Sequence, residues 1–561
     1  MGMKKGFLLS VFALLFSQFL FAHDFIVDGI CYNIVSEEYK LCEVTYFKQE
    51  SGAIKSNFYK DVVFVPETVE FGGSSYFVSA IGAGAFSGND ELLSVVMPNT
   101  VKVIENSAFS GCRQMKSITV PKSVEHIESG AFCALESLTY LSVDEDNPVY
   151  DSRGGCNAII ESATNTLLYG CRTTEIPHGV EVIAMNAFWI VCNTGPFALD
   201  IPASVKVIDY CAFQTCDWLV GVTLHDGLEK IGDGAFRCTS IESITIPATV
   251  IEIGPSAFAG VNELKSMKVK RGNKVYDSRG GCNAIIESAS DRLVQACART
   301  KIPEGVKVIG RNAFKGVEKG SVDIPSSVVE IENGAFFGCG LRGTLVIPRS
   351  VKSIGKYAFT ACRGIDSLVV EEGCERIAAS AFSLCSGLRH AKLPSTLKEF
   401  GSGSEYVLVF DGCNLLERIE LPNENPTYYC NGDVIIEKST LAVVAGCGLG
   451  HCQINKALGE YRPKKIAKGA FRGMQYLTAL WLPGTIEEIE EGAFYDCPAI
   501  EFIYCANEIP PFLGKNFGLV SNSPWHLPVQ ERAVLIVPEG SLDAYRNALG
   551  WKEFKHITTH Q

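Results

Sequence analysis

Residues 115–133 read M-K-S-I-T-V-P-K-S-V-E-H-I-E-S-G-A-F-C. Met115, Ile118 and Val120 are apolar while Ser117 and Thr119 alternate with them, the period of two that predicts a short strand with one face buried. Pro121 has no amide hydrogen and ends the strand ladder. Val124 and Ile127 turn back towards a core, Gly130 permits a tight bend, and Phe132 supplies the largest apolar group. The same order returns at 244–247 through Phe258, at 345–348 through Phe359 and at 480–483 through Phe494. One such coil has too little apolar surface to stand alone, whereas stacked coils share a continuous core.

The dipeptide Ala-Phe marks the period. It occurs thirteen times in this context, at Phe86, Phe109, Phe132, Phe188, Phe213, Phe236, Phe258, Phe314, Phe336, Phe359, Phe382, Phe471 and Phe494, with a variant at Phe410. Most neighbours lie 22 to 25 residues apart, the spacing of leucine-rich repeats with one short strand per coil. A longer period is superimposed: residues 149–163, V-Y-D-S-R-G-G-C-N-A-I-I-E-S-A, recur identically at 275–289, each copy inside a 56-residue gap between Ala-Phe units. A third, weaker version begins at Asn425 and runs through 434–437. Two apolar runs separated by a polar stretch, as at 158–161 and 167–169, predict a hairpin in each insert.

The units I-P-x-S-V-x-x-I-x-x-x-A-F-x-x-C and the insert Y-D-S-R-G-G-C-N-A-I-I-E resemble the BspA-like leucine-rich-repeat family of exported and cell-surface proteins, over about three quarters of the chain. The resemblance implies a β-rich, α/β-type leucine-rich-repeat solenoid, right-handed, with short strands stacked into a sheet along one face. It also implies adhesion to matrix proteins or cells, a role that a shared fold does not carry over by itself. Because an open solenoid end exposes core, residues 23–80 are expected to form a β-rich N-terminal cap and 506–561 a C-terminal cap. In the latter a strand at 534–537 precedes a terminal helix capped by Ser541, with Leu542, Tyr545, Leu549, Trp551 and Phe554 as its apolar residues. The repeats proper span 81–505, with enlarged coils near 144–180, 270–305 and 422–465, and the Ser/Asn/Pro-rich stretch 519–528 is expected to be a loop.

Lys4 and Lys5, the apolar run 7–21 and the small Ala22 form an export signal over 1–22. The run is short for a membrane span, and His23 after the cut leaves no cysteine for a lipid anchor. The formal charge of -13 falls to -15 when those two lysines go, and no basic run offsets it. Nucleic acid and anionic membrane are therefore poor partners. The expected location is the cell surface or the extracellular space.

An exported chain with 22 cysteines invites a disulfide reading. Yet Cys112, Cys216, Cys339, Cys362, Cys385, Cys413 and Cys497 each fall three residues after the repeat phenylalanine, a place fixed by the coil, so packing is expected there. The disulfide candidates are Cys156 with Cys171 and Cys282 with Cys297, placed opposite each other if Ile160 pairs with Leu167, and Cys31 with Cys42. Cys447, His451 and Cys452 lack the second ligand cluster a metal needs. Gly82-Ala-Gly84 and Gly232-Asp-Gly234 mark turns rather than a nucleotide loop, and neither a nucleophile elbow nor a metalloprotease helix occurs. No cofactor, metal or enzyme activity is expected.

What remains is the outward face of the stacked strands. The position between the last two inward residues is held by Thr119, Thr223, Thr245, Lys268, Lys392 and Trp481, and also by Ser142, Asp323, Val346, Val369 and Glu420. Threonine suits any exposed strand, so these rows mark either a plain β surface or a binding face. Trp481 stands out, as an anchor for recognition or as packing under the C-terminal cap. Two functions follow: adhesion or contact with an extracellular protein, or capture of a glycan or nutrient. The latter requires clustered aromatic platforms, which only Trp481 and Tyr140 offer.

Overall fold

The computed structural model describes residues 23–47, 58–191, 196–402, 409–454, 461–515 and 528–559. The predicted export signal at 1–22 and most of the predicted loop at 519–528 lie outside these residues. The chain divides into two compact units, 1–258 and 259–561.

Most described coils supply two strands. In the first unit, Asp61–Phe64, Leu92–Val96, Ser117–Val120 and Tyr140–Val143 form a parallel four-stranded sheet, the predicted face. The second half of each coil adds a two-residue strand, such as Val103–Ile104 or His126–Ile127, and these pair in parallel as a second sheet. The isoleucine of each points inward and is buried, the role expected of Ile127. In the second unit the first sheet runs through Arg342–Ile347, Gly364–Val370, His390–Lys392 and Arg418–Glu420. It resumes as a separate sheet of Leu449–Gln453, Tyr476–Leu482, Phe502–Cys505, Val534–Val537 and His556–Thr559.

The repeat phenylalanines stack into a spine between the two sheets. Phe86 and Phe109 lie 5.3 Å apart at 4°, and Phe213 and Phe236 lie 5.4 Å apart at 1°. In the second unit Phe314, Phe336, Phe359 and Phe382 continue at 4.7 to 5.3 Å. The dipeptide has a backbone reason as well: where one Ala-Phe coil directly follows another, the phenylalanine amide donates to the carbonyl of the alanine one coil on, as from Phe359 to Ala381 at 2.7 Å. The cysteine three residues later is buried and donates its thiol to the phenylalanine carbonyl one unit back. Cys112 reaches Phe86 at 2.9 Å, Cys362 reaches Phe336 at 3.1 Å, and Cys497 reaches Phe471 at 3.0 Å. Packing is thus the role of these thiols, with a hydrogen bond added.

Each insert is a hairpin and joins the second sheet. Ala158–Glu161 pairs antiparallel with Thr166–Gly170, which then pairs in parallel with Val182–Ile183. Asn147 brackets its entry: its side-chain amide donates to the Pro121 and Val124 carbonyls, and its oxygen accepts the Val149 and Tyr150 amides. Asn425 does the same at the third insert. The identical segments are explained by a clasp in which Asp151 accepts the Arg153 amide and guanidinium and the Ser162 hydroxyl, while Arg153 also reaches Asn165. Asp277, Arg279, Ser288 and Asp291 repeat it.

The strand register does not set the candidate disulfide cysteines opposite each other. Ile160 does pair with Leu167, but a bulge between Ile159 and Ile160 shifts the rest of the hairpin by one, so Ala158 faces Gly170. Cys171 therefore meets Asn157, whose carbonyl accepts its thiol at 3.4 Å, and misses Cys156. Cys297 meets Asn283 in the same way and misses Cys282. Cys31 pairs with Thr45 while Cys42 pairs with Ile34. All six are free thiols.

The C-terminal strand Val534–Val537 and helix Leu542–Asn547 are present. Ser541 accepts the Tyr545 amide with its carbonyl rather than capping with its hydroxyl. Tyr545, Trp551 and Phe554 are buried, and the Trp551 indole donates to Pro511 at 2.7 Å. Leu549 is exposed because the helix has already ended, and His556–Thr559 adds a closing strand with no strong pattern in the sequence.

Candidate functional site

Two faces compete for a partner. The second sheet is largely satisfied by itself, since charges on adjacent coils pair: Lys102 with Glu125 at 2.9 Å and Lys230 with Glu252 at 2.9 Å in the first unit, Lys398 with Glu375 at 2.9 Å and Lys464 with Glu487 at 2.8 Å in the second. Such exposed pairs add little stability, but they leave few uncommitted charges. The first sheet is different.

Thr119 is exposed on it and shares a hydrogen bond of 2.9 Å with Ser142, its register partner. Ser94 and Ser117 form a second hydroxyl pair. Tyr140 is exposed opposite Ser117 and makes no ring contact among the described residues. Thr223 is exposed on a separate pair of strands, opposite Asp200, and Thr245 is exposed on Ser243–Ile246. These threonines are not gathered into one cluster.

In the second unit Lys268 is exposed on Ser266–Val269. Lys392 lies between Val369 and Glu420 in register and borders an open groove of about 760 Å³ with Glu417, Arg418, Tyr429 and Asp433. This groove exists because the first sheet is interrupted by the third insert. Gly432 accepts the Ile419 amide and Cys430 donates to the Ile419 carbonyl on one side. On the other, Asp433 accepts the Gln453 amide and Asn431 donates to the Gln453 carbonyl.

Gln453 is the register partner of Trp481, which is the partner of Tyr504. The indole and phenol rings stack at 4.7 Å and 2°, and His451 stands nearly perpendicular to the indole at 5.7 Å. Phe502, two residues before Tyr504 and on the same face, extends the cluster at 6.4 Å. Trp481 is therefore half-buried among aromatic neighbours on the sheet face, not beneath the terminal helix. Tyr504 and Phe502 were absent from the sequence-derived face, although F-I-Y-C at 502–505 follows the same alternation with Ile503 and Cys505 inward. His451 points outward and Cys452 inward, so they do not converge. Among the described residues no group of three metal-ligating side chains forms.

Stacking of this kind closes one face of each ring to a partner. Ring edges are electropositive and carry the indole N–H and phenol hydroxyl. They suit carbonyls and polar side chains of a protein better than the flat underside of a sugar.

Stacked coils carrying two parallel sheets around a phenylalanine spine are a leucine-rich-repeat solenoid. The BspA type leucine rich repeat region matches in six copies over 75–153, 181–279, 295–415 and 447–517, well over half of the chain, and the chain belongs to that family. Similar solved structures include a leucine-rich repeat protein from Bacteroides ovatus, with 20% identity, a TM-score of 0.34, and 96% of this chain and 100% of that chain covered. A leucine rich cell surface protein from Faecalibacterium prausnitzii has 20% identity and a TM-score of 0.32, covering 85% and 93%. The pneumococcal vaccine antigen PcpA has 14% identity and a TM-score of 0.35, covering 96% and 98%. No curated protein matches the chain. No helix among the described residues is long and apolar enough to cross a membrane.

Proposed function

We propose that the protein is exported to the cell surface or the medium and binds an extracellular protein through the first-sheet face of its second unit. The Trp481–Tyr504 stack supplies the anchor and the Lys392–Glu420 groove beside it supplies polar contacts. The stack carries the reading: stacked rings held on rigid strands lose little entropy on binding, and Trp and Tyr dominate interface energetics. Export rests on the leader at 1–22. The role assigned is binding rather than catalysis, since each coil commits its residues to core, spine and ladder.

The test is a panel of matrix and cell-surface proteins beside a glycan array, probed with the mature chain. A saturable protein ligand is expected, with Trp481→Ala and Tyr504→Ala each weakening it by tenfold or more, about 1.4 kcal/mol, at unchanged thermal stability. Saturable binding to glycans alone would overturn the reading in favour of sugar capture.

A further inference from the structure

Several sheet ends in this molecule are plugged. The Val143 amide at the last strand of the first unit's four-stranded sheet is taken by the Ser152 hydroxyl, and the Thr139 carbonyl by the Thr173 hydroxyl. In the second unit Ile419 and Gln453 are plugged by residues 430–433, as described above. Unplugged strand edges invite another chain to pair with them.

The end at 61–64 departs from this pattern. Asp61–Phe64 is the outermost strand of the first unit's four-stranded sheet and pairs only with Leu92–Val96. The Asp61 amide donates to Glu91 and the Val65 amide to Val96. Alternation along the strand then turns the amides and carbonyls of Val62 and Phe64 to the open side, where they have no partner among the described residues. The strand begins at Asp61 and is flanked by Lys60 and Pro66, the kind of residues that blunt an edge, but its middle carries Val62 and Phe64, 43% and 70% exposed. A groove of about 450 Å³ runs beside it, bordered by Val27, Asp28, Ile30, Phe58, Val62 and Phe64. Asp28, on the far wall, forms no ion pair among the described residues.

We propose that this edge takes up an extended segment of a partner protein as an additional β-strand. The unpaired groups of Val62 and Phe64 supply main-chain hydrogen bonds. The apolar walls select a segment with alternating apolar side chains, and Asp28 selects a basic residue beside them. The site belongs to the first unit and uses no residue of the second unit's aromatic face.

The experiment pans a displayed library of short random peptides on the full chain and titrates the recovered peptides against variants. Val62→Pro and Phe64→Pro remove amides that the internal ladder does not use together with two of the groove's apolar side chains, so the fold should persist while affinity falls at least tenfold. Trp481→Ala should leave affinity unchanged, which separates this site from the face proposed above. Hydrogen exchange on the unaltered protein gives a reading that needs no variant: bound peptide should newly protect the Val62 and Phe64 amides. Peptides with the stated alternation that meet these criteria support the proposal. No saturable peptide, binding without protection at those amides, or self-association abolished by Val62→Pro each overturns it, the last by making a second copy the occupant.

Discussion

At the scale of single residues, the repeat cysteines show how position decides chemistry. Burial pushes the thiols of Cys112, Cys339 and Cys497 up to about 12, so the reactive thiolate is scarce at neutral pH. Cys238, in contrast, is exposed. Alkylation of the native protein mapped by mass spectrometry should label Cys238 first among the described cysteines, with the spine thiols protected until unfolding. Early labelling of Cys362 or Cys497 would mean that the coil interior opens. Gly170 shows a second single-residue effect: a Cβ there falls 2.2 Å from the Phe188 ring. Ala296 occupies the matching place in the second hairpin, next to the coil of Phe314, and is buried without difficulty. Gly170→Ala should therefore cost no more than about 1.5 kcal/mol, the usual range for a small overpacking that its neighbours can absorb, as read from a urea midpoint.

At the scale of elements, the hairpins are held by polar brackets whose loss has a defined sign. Burial raises the Asp277 carboxyl, but the Arg279 and Ser288 hydrogen bonds outweigh it and hold the group below its ordinary value. Asp151 behaves alike with Arg153 and Ser162. A carboxyl held low in the fold contributes its full stability above its unfolded value, near pH 4, and loses it as pH falls through the folded one. Melting temperatures should drop below about pH 4, and Asp277→Asn should flatten part of that drop while lowering stability at neutral pH. A melting curve unaffected by Asp277→Asn across that range would assign the clasp no energetic role. Asn147→Ala leaves the Pro121 and Val124 carbonyls and the Val149 and Tyr150 amides without their partner. A loss of about 2 to 4 kcal/mol is expected from stranding such buried groups.

At the scale of the molecule, each unit is built from contacts between neighbouring coils, so damage should stay local. Phe359 is fully buried between Phe336 and Phe382. Phe359→Ala should cost about 3 to 5 kcal/mol and remove hydrogen-exchange protection chiefly from the coils of Phe336 and Phe382, with the Trp481 region unchanged. Loss of protection throughout the 259–561 unit would show a single cooperative block instead. Much of this scale was legible in advance: the Ala-Phe period, the inward Ile118 and Val120, and the hairpins at 158–169. The candidate site was legible at Trp481, Lys392 and Glu420 but not at Tyr504, which sits in a coil whose phenylalanine landmark is missing.

The amino-acid sequence by itself determined the coil length, the inward and outward alternation, and the place of every enlarged coil, since these follow from side-chain preferences within a few residues of one another. Only the tertiary structure decided which outward residues become neighbours. Strand register sets Trp481 against Tyr504 and offsets Cys171 from Cys156 by one residue, and a register depends on bulges and on the coil before, which no local pattern encodes. The same holds for the second sheet and the open edge at Asp61–Phe64, because a strand of two residues or an unpaired amide acquires its meaning from what lies beside it.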